Sequence, residues 1–453
     1  MRVTVLGHAS VLVDFDGERV LIDPIFDEVY ASDTLCQTPR REIDVGTLVA
    51  STTCLVVTHI HLDHFHPPTL ARFPRDVPLV VPAHEALVGA LCGMGFTRVC
   101  PLAPWQRLPL ATGCLVATPS DYELEEFGLV IAAGADSYWH MSDAIVTPDV
   151  GARVKDTFGP VSLASVKFQP LRLLIAHQRG LAATMQDRDD LCDSYEAACA
   201  AAPTALFPYY SGFAFHGDHA WANRHIAPYH AEEAAALLRE RLGAASAVYT
   251  VLPGDAFAID AREVRHLAGA ARDLARPVPG TDIQAWEPID PHTLLGVDGL
   301  NDVLWLTLAL RRVLAEQVLP WVQAHLDARS GLFDGYRDWR TVWQCVVHLD
   351  DARRLHHAVD FRGPQARLHH DVRHPRANVF SHVSGGCLQK VLRGTAGPEV
   401  FWMAGGYRIY EKILFVADGR LRAPPLNGWD LFERLPCPLT HFLRRGPRTV
   451  MRD

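Results

Sequence analysis

The sequence predicts an α/β protein in two parts, with sheets covered by helices on their outer faces followed by a smaller mixed α+β C-terminal domain. Three observations carry this expectation. At 453 residues the chain exceeds the size at which one hydrophobic core keeps growing. Short apolar runs of strand character dominate residues 1–265, interrupted by a few stretches of helical spacing. A proline-rich polar stretch, ARPVPGTDIQAWEPIDP, then precedes the longest amphipathic pattern in the chain. The expected division is a first domain over 1–265, a linker over 266–291 and a C-terminal accessory domain over 292–453.

In order, RVTVL, SVLVDF and RVLID read as strands, the last two joined through Asp16-Gly17, a common hairpin turn pair. CLVVT (Cys54 to Thr58) and PLVV (Pro78 to Val81) continue the set, and EALVGALCGMGF then shows helical spacing closed by glycines. Strands follow at CLVAT (Cys114 to Thr118), LVIAA (Leu129 to Ala133), SYWH (Ser137 to His140), VSLASVKF and TALFPYY. AEEAAALLRERLGA reads as an amphipathic helix ending at Gly243, and VYTVL (Val248 to Leu252) closes the first domain. Beyond the linker, the aliphatic and Trp stripe of NDVLWLTLALRRVLAEQVLPWVQAHL reads as a core-facing helix, and Cys345 to His348 fall in what reads as another apolar helical run.

A formal charge of −9 and the absence of any block of like charges argue against a nucleic-acid surface. Ten scattered cysteines, none in a C-x-x-C pair, read as reduced thiols of a cytoplasmic protein. His8 and Asp14 interrupt the N-terminal apolar run before it reaches signal length, and no run long enough to span a membrane occurs. The expected partners are therefore small molecules rather than nucleic acid or membrane.

The segment VVTHIHLDHFHP carries the chemistry. Residues two apart on an extended segment point the same way, so His59 and His61 can grip one metal ion, while a tight turn presents Asp63 and His64 to a second. The alternative, a histidine-rich surface turn, does not explain this ordered H-x-H-x-D-H pattern after an apolar strand. Together with GHASVLVDFDGERVLIDP, the motif resembles the metallo-β-lactamase superfamily, and within it the ascorbate-6-phosphate lactonase-like branch, over roughly Met1 to Asp260. The resemblance implies an αββα sandwich with metal ions at one sheet edge.

It also implies further ligands. Where the family places a third histidine, the chain reads ATPSDYELEE, with Asp121 as the nearest candidate. The bridging aspartate is expected at Asp143, with Ser142 in place of the usual glycine. For the final ligand the positional candidate is Asp255 in VLPGDAFAID, against a plain Pro-Gly-Asp turn; His177, His216, His219 and His230 remain alternatives from inserted loops. His8 is expected beside the metals rather than on them.

Carboxylate in place of imidazole favours iron or manganese and the higher oxidation states used with dioxygen. The substituted site is similar to di-iron oxygenases of this fold, of the CMP-N-acetylneuraminate hydroxylase and chloramphenicol-pathway β-hydroxylase kinds. A Rieske centre needs a Cys-x-His segment beside a Cys-x-x-His segment, and only the latter occurs, at Cys345 to His348. Electrons would then come from an external donor or from the substrate. The expected function is a dinuclear, iron-dependent oxygenase or hydroxylase acting on a small molecule with dioxygen, Asp63 and Asp143 being its catalytic carboxylates. The rival is a zinc- or manganese-dependent hydrolase of the lactonase or esterase kind. The aromatic, glycine-rich stretch PYYSGFAFHGDHAWANRH is expected to wall the substrate site, with His177, His219 and Trp221 among the contacts.

Overall fold

The computed structural model describes residues 1–167, 195–209, 212–217, 220, 223, 231–278, 300–395, 406–411, 415–417 and 419–422, apart from 32, 34, 122–124, 332 and 351. The chain divides into two compact units, the first chiefly within Met1–Trp286 and the second chiefly within Glu287–Asp453.

In the first unit an eight-stranded sheet runs, in spatial order, Glu263–Leu267, Ala256–Asp260, Arg2–Gly7, Ser10–Phe15, Glu18–Ile22, Cys54–Val56, Leu79–Pro82 and Val99–Leu102. A seven-stranded sheet runs Arg107–Pro109, Cys114–Pro119, Phe127–Ala133, Asp136–His140, Leu163–Lys167, Ala205–Tyr209 and Ala247–Val248. Side-chain alternation explains why these strands are apolar throughout. Val3, Val5, Val11, Val13, Val20, Ile22 and Val56 share a core with Leu115, Leu129, Ile131 and Phe207 from the other sheet. The intervening Leu6, Leu12, Leu21 and Leu55 pack in a separate cluster with Leu87 and Leu91 of helix Glu85–Gly93. On the far side, Val116, Val130 and Trp139 join Val154 of helix Pro148–Phe158 and Leu238 of helix Ala231–Leu242. Both faces of each sheet are thus covered, giving the expected four-layer αββα sandwich.

The stretch expected as linker begins within the first unit, since Ala275–Pro277 pairs antiparallel with Arg41–Ile43. No helix among the described residues is long and apolar enough to cross a membrane.

The second unit is a five-stranded sheet in the order Arg367–His370, Arg354–Asp360, Val342–His348, Val379–Ser384, Tyr407–Glu411. Helices Val303–Val313 and Leu319–Asp327 meet through a π turn, Leu314–Val318, just before Pro320, whose missing N–H such a turn accommodates. Their buried stripe (Leu306, Leu310, Leu314, Val318, Val322) packs with Trp343, Val347, Val359 and Val383. Cys345 to His348 lie on the central strand, not on a helix, because an apolar run buried on both faces carries no period to distinguish the two.

Histidines pair across this sheet: His348 Nε2 lies 2.8 Å from His382 Nδ1, and His357 Nδ1 3.0 Å from His370 Nδ1. Burial, then the neighbouring Arg354 charge, pushes His348 down to about 3 and His382 down to about 4; burial and then His370 bring His357 to about 4. The unfolded chain therefore binds more protons than the folded one below the ordinary histidine value of about 6.5. Their contribution to stability is full above that value and is lost as the pH falls toward 4. Amide protection factors in Val342–His348 are expected to drop between about pH 6.5 and 4.5 in the full-length protein; unchanged protection would contradict this.

Candidate metal centre

The histidine motif follows Cys54–Val56, a central strand with parallel neighbours on both sides, so its side chains emerge at the carboxyl edge of the sheet. Asp23, fully buried just past Glu18–Ile22, organises that edge. The Thr58 backbone N–H and hydroxyl donate to its two oxygens at 2.8 and 2.7 Å, and His64 Nδ1 lies 2.8 Å from Oδ2. With Nδ1 committed to Asp23, His64 presents Nε2 to the site.

That Nε2 lies 3.7 Å from Asp63 Oδ2 and 3.7 Å from Asp143 Oδ2. His8 Nε2 lies 3.5 Å from Asp63 Oδ2. Among the described residues, His64 Nε2, Asp143 Oδ1 and both His8 ring nitrogens are buried without a hydrogen-bond partner. Two atoms bound to one ion at about 2.1 Å each stand roughly 3–3.5 Å apart, so these separations fit ligands facing a shared cation better than hydrogen bonds. Two donor triplets result, His8–Asp63–His64 and His59–His64–Asp143, each with its ligand atoms within 4.8 Å of one another. The nitrogen and oxygen donor set therefore fits divalent ions.

The electrostatics agree. Burial works against the charged form of His64, but Asp63, Asp23 and Asp143 outweigh it and hold the imidazole well above its ordinary value. A doubly charged ion can take the place of that proton. Burial, then His64 and His61, keeps His59 well below its ordinary value and so neutral. Its Nε2 stands 2.9 Å from His61 Nδ1. Burial opposes ionisation of Asp143, yet Lys167, 3.8 Å away, and His64 keep it well below the carboxylate range.

Asp143 is presented by Ser142, whose φ of 51° lies in the left-handed region that favours glycine. Ser142 keeps a use for its side chain, with its hydroxyl 2.8 Å from that of Thr58.

Two expected ligands are not brought to this cluster. Asp121 has an exposed side chain, and its backbone N–H donates to the Ile145 carbonyl, which turns the residue outward. Asp255 is used by its own turn: it accepts from the N–H groups of Leu252 (3.0 Å) and Gly269 (2.7 Å), with His266 Nε2 at 3.2 Å. The Pro-Gly-Asp turn is the reading that the geometry supports there. His216 is exposed, 3.4 Å from the Asp33 carbonyl; His177, His219, His230 and Trp221 lie outside the described residues. Asp121→Ala is accordingly expected to leave the number of bound ions unchanged, as metal analysis of the dialysed variant would read.

Three residues not singled out in the sequence join the site. Asp23 sits in the LIDP segment, and His140 lies with Nε2 3.9 Å from Asp23 Oδ2 and Nδ1 3.1 Å from the Tyr138 hydroxyl. Glu126 is buried, accepts from Ser120 Oγ at 2.6 Å, and is raised first by burial while also sensing Asp143, Lys167 and His61. Among the described residues of the ATPSDYELEE stretch it is the buried carboxylate, whereas Asp121 and Glu125 are exposed.

Residues 2–143 match the family described as "Beta-lactamase superfamily domain". This stretch is a β-lactamase superfamily domain. The chain is 25% identical over 185 residues to a UPF0173 metal-dependent hydrolase from Azorhizobium caulinodans, covering 38% of this chain and 70% of that one. A second UPF0173 metal-dependent hydrolase, from Exiguobacterium, is 33% identical over 90 residues, 20% of this chain and 31% of its own length. Among solved structures, the diiron β-hydroxylase CmlA from Streptomyces venezuelae aligns at 18% identity over 59% of this chain and 54% of that one, with a TM-score of 0.41. The chain thus spans about two thirds of the first relative and less than a third of the second.

Proposed function

We propose that the first unit is a dinuclear metal enzyme, with iron as its metal, that oxidises a small molecule using dioxygen and an external electron donor. The observation that carries this reading is the donor set. The stretch ATPSDYELEE, where the resemblance implies a further histidine, offers the buried carboxylate Glu126, which senses His61 and Asp143, and hard oxygen donors favour iron or manganese over zinc.

His59, with His61 Nδ1 2.9 Å from its Nε2, would hold one ion together with His61, and Asp63 with His64 the other, Asp143 standing with His59 and His64 and His8 beside Asp63. Bound there, iron supplies the electrons and Lewis acidity that dioxygen chemistry requires. The chain's own groups prepare the site. Asp23 keeps His64 Nε2 facing inward, Thr58 keeps Asp23 in register, and Lys167 keeps Asp143 ionised and so able to hold a cation.

A second reading, hydrolysis with zinc or manganese, is favoured by the names of the two curated relatives. Purification without added metal, followed by metal analysis, a visible spectrum and an oxygen electrode, separates the two. About two irons per chain with substrate-dependent oxygen uptake support oxidation. Colourless, zinc-loaded protein that opens lactones or esters would replace it with hydrolysis.

A further inference from the structure

Beside the metal centre lies a buried cation with no counter-charge. Arg41, 9% exposed, opens the short strand Arg41–Ile43, and its side chain passes directly over Gly7. A Cβ at Gly7 would stand 2.7 Å from Arg41 Cδ and 2.7 Å from Nη1, so the glycine leaves room for the guanidinium. One nitrogen, Nη2, donates to the Ile25 carbonyl. Nε and Nη1 are buried without a partner, and no carboxylate among the described residues pairs with this arginine. Arginine buried at this depth ordinarily stands against an anion, because desolvating the charge is costly unless it is paired.

Other buried polar groups in the same region are unsatisfied. The Tyr30 hydroxyl, both amide atoms of Gln37 and the Thr38 hydroxyl have no hydrogen-bond partner among the described residues. Tyr30 feels both the Asp63 and the Arg41 charges, and its ring centroid lies 5.9 Å from that of His8. His8, next to Gly7 in the chain, reaches Asp63 with Nε2. Native interiors leave few such groups, and of these the Tyr30 hydroxyl shares its surroundings with the Arg41 guanidinium and with Asp63.

We propose that Arg41, assisted by the Tyr30 hydroxyl, is the seat for an anionic group of the substrate, a carboxylate or a phosphate, next to the metal centre. The planar fork of Arg41 suits either anion, and the hydroxyl can donate to a remaining oxygen. Resting on the proposed enzyme function, this makes the substrate a small acid whose reacting carbon or ester lies a few bonds from its charge.

The test uses the full-length protein stripped of metal with a chelator, so that its outcome does not depend on which ion the centre takes. Inorganic phosphate and acetate are titrated separately, with thermal shift and calorimetry as readouts. One of the two is expected to raise the Tm saturably, and its identity distinguishes a phosphate from a carboxylate seat. Arg41→Met is expected to lose that response while melting no lower than the parent in anion-free buffer, since it removes an uncompensated charge. Arg41→Lys, which keeps the charge without the fork, is expected to bind at least about tenfold more weakly. Should Arg41→Met fail to fold, Tyr30→Phe provides a second comparison, with binding weakened about tenfold. Absence of any response in the parent, or an unaltered response in the variants, overturns the proposal.

Discussion

His64→Ala is expected to lower bound metal from about two ions per chain to one or none and to reduce turnover by more than the roughly 10–100-fold that losing an outer partner of a ligand costs. The imidazole is the one residue common to both donor triplets, and its Nε2 faces Asp63 and Asp143 at the same 3.7 Å. Asp23→Asn separates holding from orienting. The amide preserves shape but replaces a charge that His64 Nδ1 meets at 2.8 Å, so metal affinity is expected to fall about 10–100-fold with the fold intact. Metal analysis alongside circular dichroism reads both variants. A His64→Ala protein that still carries two ions would mean that the centre has been placed on the wrong residues.

The second large effect concerns stability. Trp343 is fully buried on the central strand of the C-terminal unit, and its indole Nε1 donates to Ser381 Oγ at 2.7 Å. Trp343→Ala is expected to destabilise that unit by about 3–5 kcal/mol through the lost apolar contact and the cavity left behind. For a unit of this size the Tm should fall by roughly 6–20 °C in calorimetry of the full-length protein. A change of a degree or two would mean that the sheet around Trp343 closes up far more easily than its packing suggests.

Much of this was legible in the sequence, and the particular failures are instructive. The hairpin at Asp16-Gly17, the histidine motif and Asp143 could be read because each depends on local spacing: a turn pair, a period of two on a strand, a strand-to-turn junction. Asp23 and His140 could not be, because Asp23 joins the site through the lateral pairing that sets the ends of Glu18–Ile22 and Cys54–Val56 side by side, and His140 arrives from the end of Asp136–His140 in the other sheet. Asp121 is the nearest candidate by its spacing from Asp143 and Glu126 draws no notice in the sequence, but Asp121 is exposed and Glu126 buried, and burial is not written in spacing. The Cys345 to His348 segment reads as a helix for a similar reason: its apolar residues are buried on both faces of a sheet, which erases alternation. Arg41 carries no motif at all, and only its isolation from every carboxylate among the described residues draws attention to it.

The way Asp23 is held has a consequence for how the protein loads its ions. This carboxylate ties together the tips of two neighbouring strands and an imidazole six residues past Thr58, so a cation seated on His64 acts as a rivet through the N-terminal hairpin region. Occupancy should therefore be visible far from any chemistry, as slower cleavage of Met1–Gly17 by added protease when the ions are present and faster cleavage once they are chelated.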